Sequence, residues 1–153
     1  MMAKSINTNL KIRKAKAGDD KAILRIRNHP RVRKVSLNKK KIFLQDHRAW
    51  FKNYLRNKNN FCYLLEKGEK VVGYCRFDDK AGQREISIAI DPKFHRYGFG
   101  GILLRGSIKK IKNKKNIVAL IKSDNPLSLS FFQKNNFAIF KKNKKVYYLI
   151  YRD

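Results

Sequence analysis

The segment from Asp91 to Leu104 constrains the fold of this chain more than any other. It follows an alternating apolar strand pattern, passes through a basic turn with closely spaced glycines, and continues as an amphipathic helix pattern. A glycine lacks a Cβ, so the backbone at Gly98, Gly100 and Gly101 can approach a ligand closely. The first N–H groups of a helix have no partner within the helix and bind anions well. The segment therefore predicts either a phosphate-binding turn or only a tight connection between a strand and a helix.

Two common phosphate-binding loops do not fit this segment. The glycine spacing is not Gly-x-Gly-x-x-Gly, and no acidic residue follows a second strand about 20 residues on, where a dinucleotide-binding fold would hold a ribose hydroxyl. A Walker-type loop is excluded as well, because no Gly-Lys-Ser/Thr follows.

Two motifs resemble those of a known family. The run His95-Arg96-Tyr97-Gly98-Phe99-Gly100 resembles the Gln/Arg-x-x-Gly-x-Gly/Ala signature of the GNAT superfamily of N-acetyltransferases, which use acetyl-coenzyme A (acetyl-CoA). The run from Ser123 to Phe137 resembles the family's Asn-x-x-Ala-x-x-x-Tyr-x-x-x-Gly-Phe motif. The resemblance implies an α+β fold with a GNAT-like mixed, mostly antiparallel central sheet of about six or seven strands, splayed in the middle and flanked by about four helices.

The resemblance also implies where acetyl-CoA binds. The backbone of Ile88, Ala89 and Ile90 is expected to hold the pantetheine arm and to help polarise the acetyl carbonyl. The other residues expected around the coenzyme are His95, Arg96, Gly98, Gly100 and Gly101 at the pyrophosphate, and Asn125 and Ser128 across the arm.

The second motif departs from the family pattern at two positions. Phe132 stands where the family usually has a tyrosine that acts as general acid, and Asn136 stands where it has a glycine. Asparagine tolerates the left-handed turn that the glycine would make. Because phenylalanine has no proton to give, water, Ser128 or a tyrosine from elsewhere in the chain would have to protonate the leaving thiol, or the enzyme would be weakened.

Glu85 is the candidate catalytic general base. By resemblance it lies on the strand before the glycines, where similar enzymes carry a carboxylate, and a base must reach the amine directly or through one water. Because side chains alternate along a strand, Glu85 is predicted to share a face with Ser87 and Ala89. The alternative is that Glu85 only forms an ion pair with Arg76 or Arg84.

The segments Arg25 to Arg33 and His47 to Phe51 resemble the Arg-Asn-x-Pro and His-x-x-Trp-Phe features of acetyltransferases that act on nucleotide-linked amino sugars in pseudaminic and legionaminic acid biosynthesis. This similarity implies direct acetyl transfer to a primary amine, most simply that of a UDP-linked amino sugar. The residues expected to bind this acceptor are Arg27, Asn28, His29, His47 and Trp50. Arginines and histidines suit a diphosphate, and an aromatic ring suits a base or sugar face, although ordinary helix-core packing is the favoured interpretation of Trp50 and Phe51. Two other functions stay open: acetylation of a protein N-terminus or a small amine, and non-catalytic nucleic-acid binding by a GNAT-like fold.

The chain is strongly basic, with 38 Lys and Arg against 11 Asp and Glu and a formal net charge of +27. Such a charge attracts polyanions in a salt-dependent way and repels polyamines. The basic residues are spread along the whole chain without a nucleic-acid-binding motif, so we expect only non-specific electrostatic binding to nucleic acid. No apolar run approaches the roughly 18 residues of a membrane span, and the first residues lack a signal-peptide pattern. We therefore expect a soluble cytoplasmic monomer or homodimer.

The residue patterns predict one acetyltransferase domain over 10–153 after a flexible segment over 1–9. The predicted order is β-α-α-β-β-β-α-β-α-β-β, with an irregular basic segment over 31–44. Cys62 and Cys75 are predicted to lie nearly opposite each other on a hairpin and to be buried and reduced, although a disulfide is conceivable there. Two cysteines are too few for a structural zinc site, and no metal is predicted.

Overall fold

The computed structural model describes residues 9–153, and the prediction of a flexible segment therefore lies almost wholly outside the described residues. Seven strands form one sheet in the order β1-β2-β3-β4-β5-β7-β6. The strands are β1 (Leu10–Lys14), β2 (Phe61–Lys67), β3 (Lys70–Lys80), β4 (Gln83–Ile90), β5 (Ile117–Lys122), β6 (Phe137–Lys142) and β7 (Val146–Tyr151). All neighbouring strands run antiparallel except β4 and β5, which are parallel. The predicted mixed, mostly antiparallel sheet is confirmed.

Five α-helices and one 3₁₀ turn cover the sheet. They are α1 (Asp20–Arg27), α2 (Pro30–Val35), α3 (Leu44–Arg56), the 3₁₀ turn Pro92–Phe94, α4 (Phe99–Lys110) and α5 (Pro126–Lys134). Within residues 9–153, none of these helices has the length and apolar composition needed to cross a bilayer.

Helix α2 replaces the first part of the segment that was predicted to be irregular. The prediction of an irregular segment is wrong for residues 31–35, because Pro30 begins a helix. Pro30 occupies the first turn, where its missing N–H is not needed and its fixed φ suits a helix. His29 caps this helix, since its Nδ1 accepts a hydrogen bond from the Arg31 N–H at 3.1 Å.

Helices pack on both faces of the sheet, while most of the edge strand β6 stays exposed. Helices α4 and α5 pack on one face, where Phe77, Leu103 and Phe132 belong to one apolar cluster. Helices α1, α2 and α3 pack on the other, where Ile26 and Leu64 belong to a second cluster. Side chains alternate between the two faces along β3, so Cys75 and Phe77 lie in the first cluster and Tyr74 lies in the second.

The two cysteines lie on opposite faces of the sheet. The register pairs Cys62 with Arg76 and Tyr63 with Cys75, so the cysteines are nearly opposite as predicted but are offset by one residue, and they do not form the conceivable disulfide. A slip of one residue inverts the face of every side chain, which separates the two thiols. Both are free and buried, and burial raises the pKa of Cys62 to about 12.

Strands β4 and β5 touch only at one end. Their register contains two pairs, Arg84 with Ile117 and Glu85 with Val118, and the Arg84 N–H donates to the Asn116 carbonyl at 2.8 Å. Beyond Glu85 the two strands separate, which confirms the predicted splay in the middle of the sheet.

Candidate active site

The splay opens a cleft of about 960 Å³, a volume typical of small-molecule sites. Two sets of residues line it. We call the first the glycine wall, and it comprises Ile86, Ile88, Ile90, residues 95, 96, 98, 100 and 101, Asn125 and Ser128. We call the second the arginine wall, and it comprises Arg27, Arg31, Tyr74, Arg76, Lys80, Glu85 and Ser87.

The glycine wall presents a run of free backbone N–H groups at the start of α4. Gly98 adopts the left-handed conformation at φ +77° and Arg96 does so at φ +72°. Ile102 is the first residue of the helix whose N–H bonds back, to the Gly98 carbonyl at 3.3 Å. Within the described chain, the N–H groups of residues 96–101 have no backbone or side-chain acceptor. These groups, together with the Arg96 and Arg105 side chains in the cleft, fit the pyrophosphate of a coenzyme.

Close packing fixes the start of α4 against its neighbours. A Cβ on Gly100 would lie 3.3 Å from the Phe131 ring, so a side chain at this position would require the ring on α5 to shift. His95 ties the turn to β4, because its Nε2–H donates to the Ile90 carbonyl at 2.8 Å. This hydrogen bond holds the glycine turn in place beside the end of β4.

The edge of β4 supplies the next backbone groups of the glycine wall. The Arg84 N–H points toward β5, and backbone groups alternate in direction along a strand. The N–H and C=O groups of Ile86, Ile88 and Ile90 therefore point into the splay, whereas those of Ala89 face Tyr74 of β3. Ile88 and Ile90 thus offer strand-like hydrogen bonds to a ligand in the gap, and Ala89 lines the cleft without doing so.

Asn125 and Ser128 face this edge from the start of α5. Asn125 caps the helix, since its Oδ1 accepts a hydrogen bond from the Ser128 N–H at 3.2 Å. Both residues line the cleft with the β4 edge. The residues predicted to bind the coenzyme are therefore all brought to one cleft.

The arginine wall is built from cross-strand pairs of β3 and β4. The register places Asp78 opposite Glu85, Arg76 opposite Ser87 and Tyr74 opposite Ala89, all on the face that carries α1 to α3. Sequence reasoning missed Tyr74 and Arg76 as cleft residues. The sequence does contain a signal for them, because Tyr74, Arg76 and Asp78 occupy every second position of an otherwise largely apolar strand. Polar groups that alternate in this way indicate that one face of the strand borders a polar cavity.

Glu85 lies in the cleft on the predicted face and has a partner that was not foreseen. Its Oε2 is 3.2 Å from Nζ of Lys80, whereas Arg76 pairs with Asp78 at 3.3 Å and Arg84 donates to the Asn113 carbonyl. The alternative partners Arg76 and Arg84 are therefore wrong. Lys80 is largely exposed, so its ion pair with Glu85 is a weak one.

Two arginines of this wall keep unpaired N–H groups. Arg27 Nη2 donates to the Asn38 carbonyl at 2.6 Å, but its Nη1 is buried and has no partner among the described residues. Arg76 donates to Ser87 Oγ at 3.3 Å and stacks on the Trp50 ring at 4.8 Å, while its Nε is also buried and unpartnered there. Burial lowers the pKa of the Arg27 guanidinium, and the nearby Arg76 and Arg33 charges lower it further.

Of the five predicted acceptor-binding residues, only Arg27 lines the cleft. Asn28 bonds Ile42 through both of its amide atoms, and His29 caps α2. His47 is 3% exposed and stacks on Phe51, and its burial lowers the pKa of its imidazole. Trp50 reaches the site only through Arg76. The contacts of these four residues are structural ones.

Comparison with known proteins identifies the family to which this cleft belongs. The family model described as "Acetyltransferase (GNAT) domain" matches residues 9–138 of this chain. The chain belongs to the GNAT acetyltransferases. Acetyl-CoA is therefore its acetyl donor, and the enzyme is an N-acetyltransferase.

The relatives of this GNAT acetyltransferase match nearly its whole length. Acetyltransferase PseH of Campylobacter jejuni is 26% identical over 134 residues, which cover 84% of this chain and 83% of that protein. The crystal structure of an N-acetyltransferase from Staphylococcus aureus Mu50 has a TM-score of 0.78 at 25% identity and covers 93% of this chain and 97% of its own. The structure of yncA from Salmonella typhimurium with its cofactor acetyl-CoA shares the fold at TM-score 0.76 and 21% identity, and the match covers 93% of this chain and 92% of yncA.

Proposed function

We propose that this GNAT acetyltransferase transfers the acetyl group directly to a primary amine of a nucleotide-linked amino sugar. The observation that carries this proposal is the pair of buried, unpartnered guanidinium N–H groups, Arg27 Nη1 and Arg76 Nε, on the wall of the cleft. A buried donor without a partner costs about 1–3 kcal/mol, more when it is charged, unless a ligand satisfies it. An anionic acceptor does so, and a diphosphate offers several oxygens to two arginines.

The surroundings of the two arginines support the same acceptor. Arg31 also lines this wall, whereas among its cleft side chains Glu85 is the single carboxylate. A cationic polyamine is therefore disfavoured at the wall. The resemblance of segments 25–33 and 47–51 to amino-sugar acetyltransferases, and the relationship to PseH, point in the same direction.

Glu85 is the proposed general base. It lies on the face of β4 that carries the arginine wall, one alternate position from Ser87. A carboxylate there accepts the proton that the amine loses on attacking the thioester, directly or through one water. An amine on a sugar needs less help than a lysine side chain, because it is less basic.

The test compares four amines as acceptors while thiol release from acetyl-CoA is followed. They are a UDP-linked 4-amino sugar, the same sugar without the nucleotide, a peptide with a free N-terminus, and spermidine. We expect the highest kcat/KM with the UDP-linked sugar. A peptide, spermidine or the free sugar that is used more efficiently would contradict the proposal.

Arg27→Met supplies the local test. One hydrogen bond to a charged group is worth about 1.5–3 kcal/mol, so the acceptor KM should rise roughly 10- to 150-fold with the KM for acetyl-CoA little changed. Arg48→Met is the matched control, because it removes the same charge from an exposed position on α3 outside the cleft. An equal effect of both variants would mean that only the overall positive field matters.

A further inference from the structure

Tyr74 is the one tyrosine among the described residues that lines the cleft. Its side chain lies beside Ala89 on the arginine wall, directly across from the strand whose edge faces the splay. The residue is only 4% exposed, and its hydroxyl makes no hydrogen bond to any part of the chain that the structure describes. A tyrosine hydroxyl that lines a substrate cleft and has no partner in the chain is available to a group that arrives with the substrate.

The departing sulfur of acetyl-CoA needs a proton in this reaction. Acetyl transfer from a thioester expels a thiolate unless the sulfur is protonated as the bond breaks. Phe132 belongs to the cleft lining but has no proton to give, and it packs edge-on against Phe131 and Phe137. A side chain that supplies this proton must therefore lie on another wall of the cleft.

Several other cleft donors have partners within the chain, and Ser128 offers only an aliphatic hydroxyl, which is a much weaker acid than a phenol. Lys80 is paired with Glu85, and Lys122 lies 3.5 Å from Asp124. His95 is bound to Ile90 at the glycine turn. Ser87 receives the Arg76 hydrogen bond, and an aliphatic hydroxyl is a much weaker acid than a phenol.

We propose that Tyr74 is the catalytic general acid of this enzyme and donates its hydroxyl proton to the departing sulfur of acetyl-CoA. The amine lone pair forms the new C–N bond, and the C–S bonding pair goes to sulfur, which takes the Tyr74 proton. The nitrogen loses its own proton to Glu85 or to water, and water then reprotonates Tyr74. The products are an amide and a thiol, so all protons and electrons are accounted for.

The surroundings of Tyr74 suit this role. Burial raises the pKa of its phenol, so the proton is present at neutral pH, while Arg76 and Arg27 oppose that rise and so stabilise the phenolate that forms. The other titratable groups near it are Cys62 of β2 and Asp78 of β3, and both favour the protonated phenol. The proposal does not depend on which amine is the acceptor.

The test uses Tyr74→Phe with two acceptors, the UDP-linked 4-amino sugar and hydroxylamine. We expect kcat to fall about 10²-fold or more with either amine, while both KM values stay within about threefold. Tyr54→Phe is the matched control: it also removes a buried tyrosine hydroxyl, but one that donates to the Phe61 and Phe77 carbonyls outside the cleft. That variant should lose stability and keep its kcat, whereas Tyr74→Phe should keep its stability.

A rescue experiment and a binding experiment complete the test. Phe132→Tyr in the Tyr74→Phe background returns a phenol to the cleft from α5 and should restore at least about tenfold in kcat. Calorimetry at a pH where the CoA thiol is ionised compares CoA with desulfo-CoA, which needs no acceptor. The wild-type protein should prefer CoA, and Tyr74→Phe should bind both alike.

The outcomes separate this inference from the proposed function. Turnover of hydroxylamine but not of the UDP-linked sugar would refute the proposed acceptor and leave Tyr74 to be judged on its own. A Tyr74→Phe kcat within about threefold of wild type would overturn the general-acid role. A lowered kcat without rescue and with an unchanged CoA preference would overturn it too, since Tyr74 would then act on the amine. If neither amine is acetylated, the general-acid role of Tyr74 is judged by the calorimetry alone. A wild-type protein that binds CoA and desulfo-CoA equally well would then overturn it.

Discussion

Replacing Asp19 by Asn should reveal how α1, which carries Arg27 at its C-terminal end, is held on the sheet. The Asp19 side chain is 10% exposed, and its two oxygens accept hydrogen bonds from Arg13 Nη1 and Nη2, each at 2.8 Å. One of these oxygens also accepts from the Lys16 N–H at 2.8 Å. Asparagine keeps the shape and one acceptor oxygen, but it loses the charge and one of the two contacts with Arg13.

These contacts set limits on how much unfolding free energy the Asp19→Asn variant loses. Breaking a buried ion pair costs about 3–5 kcal/mol when the remaining charge is left alone. Arg13 retains a second partner, since its Nε is 3.2 Å from Oε1 of Glu66, and we therefore expect a smaller loss of about 2–3 kcal/mol. For a chain of 153 residues this lowers Tm by roughly 5–10 °C.

The assay is urea unfolding followed by circular dichroism, with Asp20→Asn as the control. Asp20 also pairs with an arginine, but Arg48 is 52% exposed, so that variant should lose less than about 1 kcal/mol. Although burial opposes it, the hydrogen bonds from Arg13 and Lys16 leave the pKa of Asp19 below its ordinary value. Its contribution is therefore complete above the unfolded aspartate pKa of about 4 and is lost as the pH falls through the lower folded pKa.

Two results would refute this reasoning. One is an Asp19→Asn variant no less stable than Asp20→Asn at neutral pH. The other is a difference between wild type and Asp19→Asn that stays constant in acid, where a protonated carboxyl should behave like the amide.

Three further changes test other parts of the molecule. Gly73→Ala should lower the unfolding free energy by about 1–3 kcal/mol and weaken CoA binding in calorimetry, because the new Cβ would lie 2.5 Å from Ile90 Cδ1 and 3.1 Å from the Ala89 carbonyl; unchanged values would contradict the packing. Glu85→Gln should reduce turnover more at neutral than at high pH, where the amine deprotonates unaided, and a parallel pH profile would remove Glu85 from the mechanism. Cys62 and Cys75 should react with a thiol reagent at pH 8 only after unfolding, since burial raises the pKa of both thiols, and fast reaction of the native protein would disprove their burial.

The strands and the glycine turn were predictable from local patterns. Gly68 and Gly82 both have positive φ, at +62° and +84°, and they mark the two hairpin turns of the meander. Counting outward from the second turn pairs Lys80 with Gln83 and would also have placed Arg76 beside Ser87. The arginine wall was therefore within reach of the sequence once the register was followed through.

The roles of the acceptor-side residues were not predictable in this way. Asn28 is fixed by Ile42, which lies 14 residues away, and Trp50 by the guanidinium of Arg76 on another strand. Such contacts depend on how helices and sheet pack, and no local spacing encodes them. A polar residue beside a motif can equally serve as a cap, as His29 does.

The brief contact between β4 and β5 has a consequence for the cohesion of the sheet. Two residue pairs join a block of four strands to a block of three, so this seam has far fewer ladder bonds than any other in the sheet. A pantetheine arm bound along Ile88 and Ile90, as the family resemblance implies, would act as a substitute strand that closes the seam. Amide hydrogens of β5 should therefore exchange more slowly in the presence of CoA, and the carrier becomes a structural component of the sheet for the lifetime of each complex.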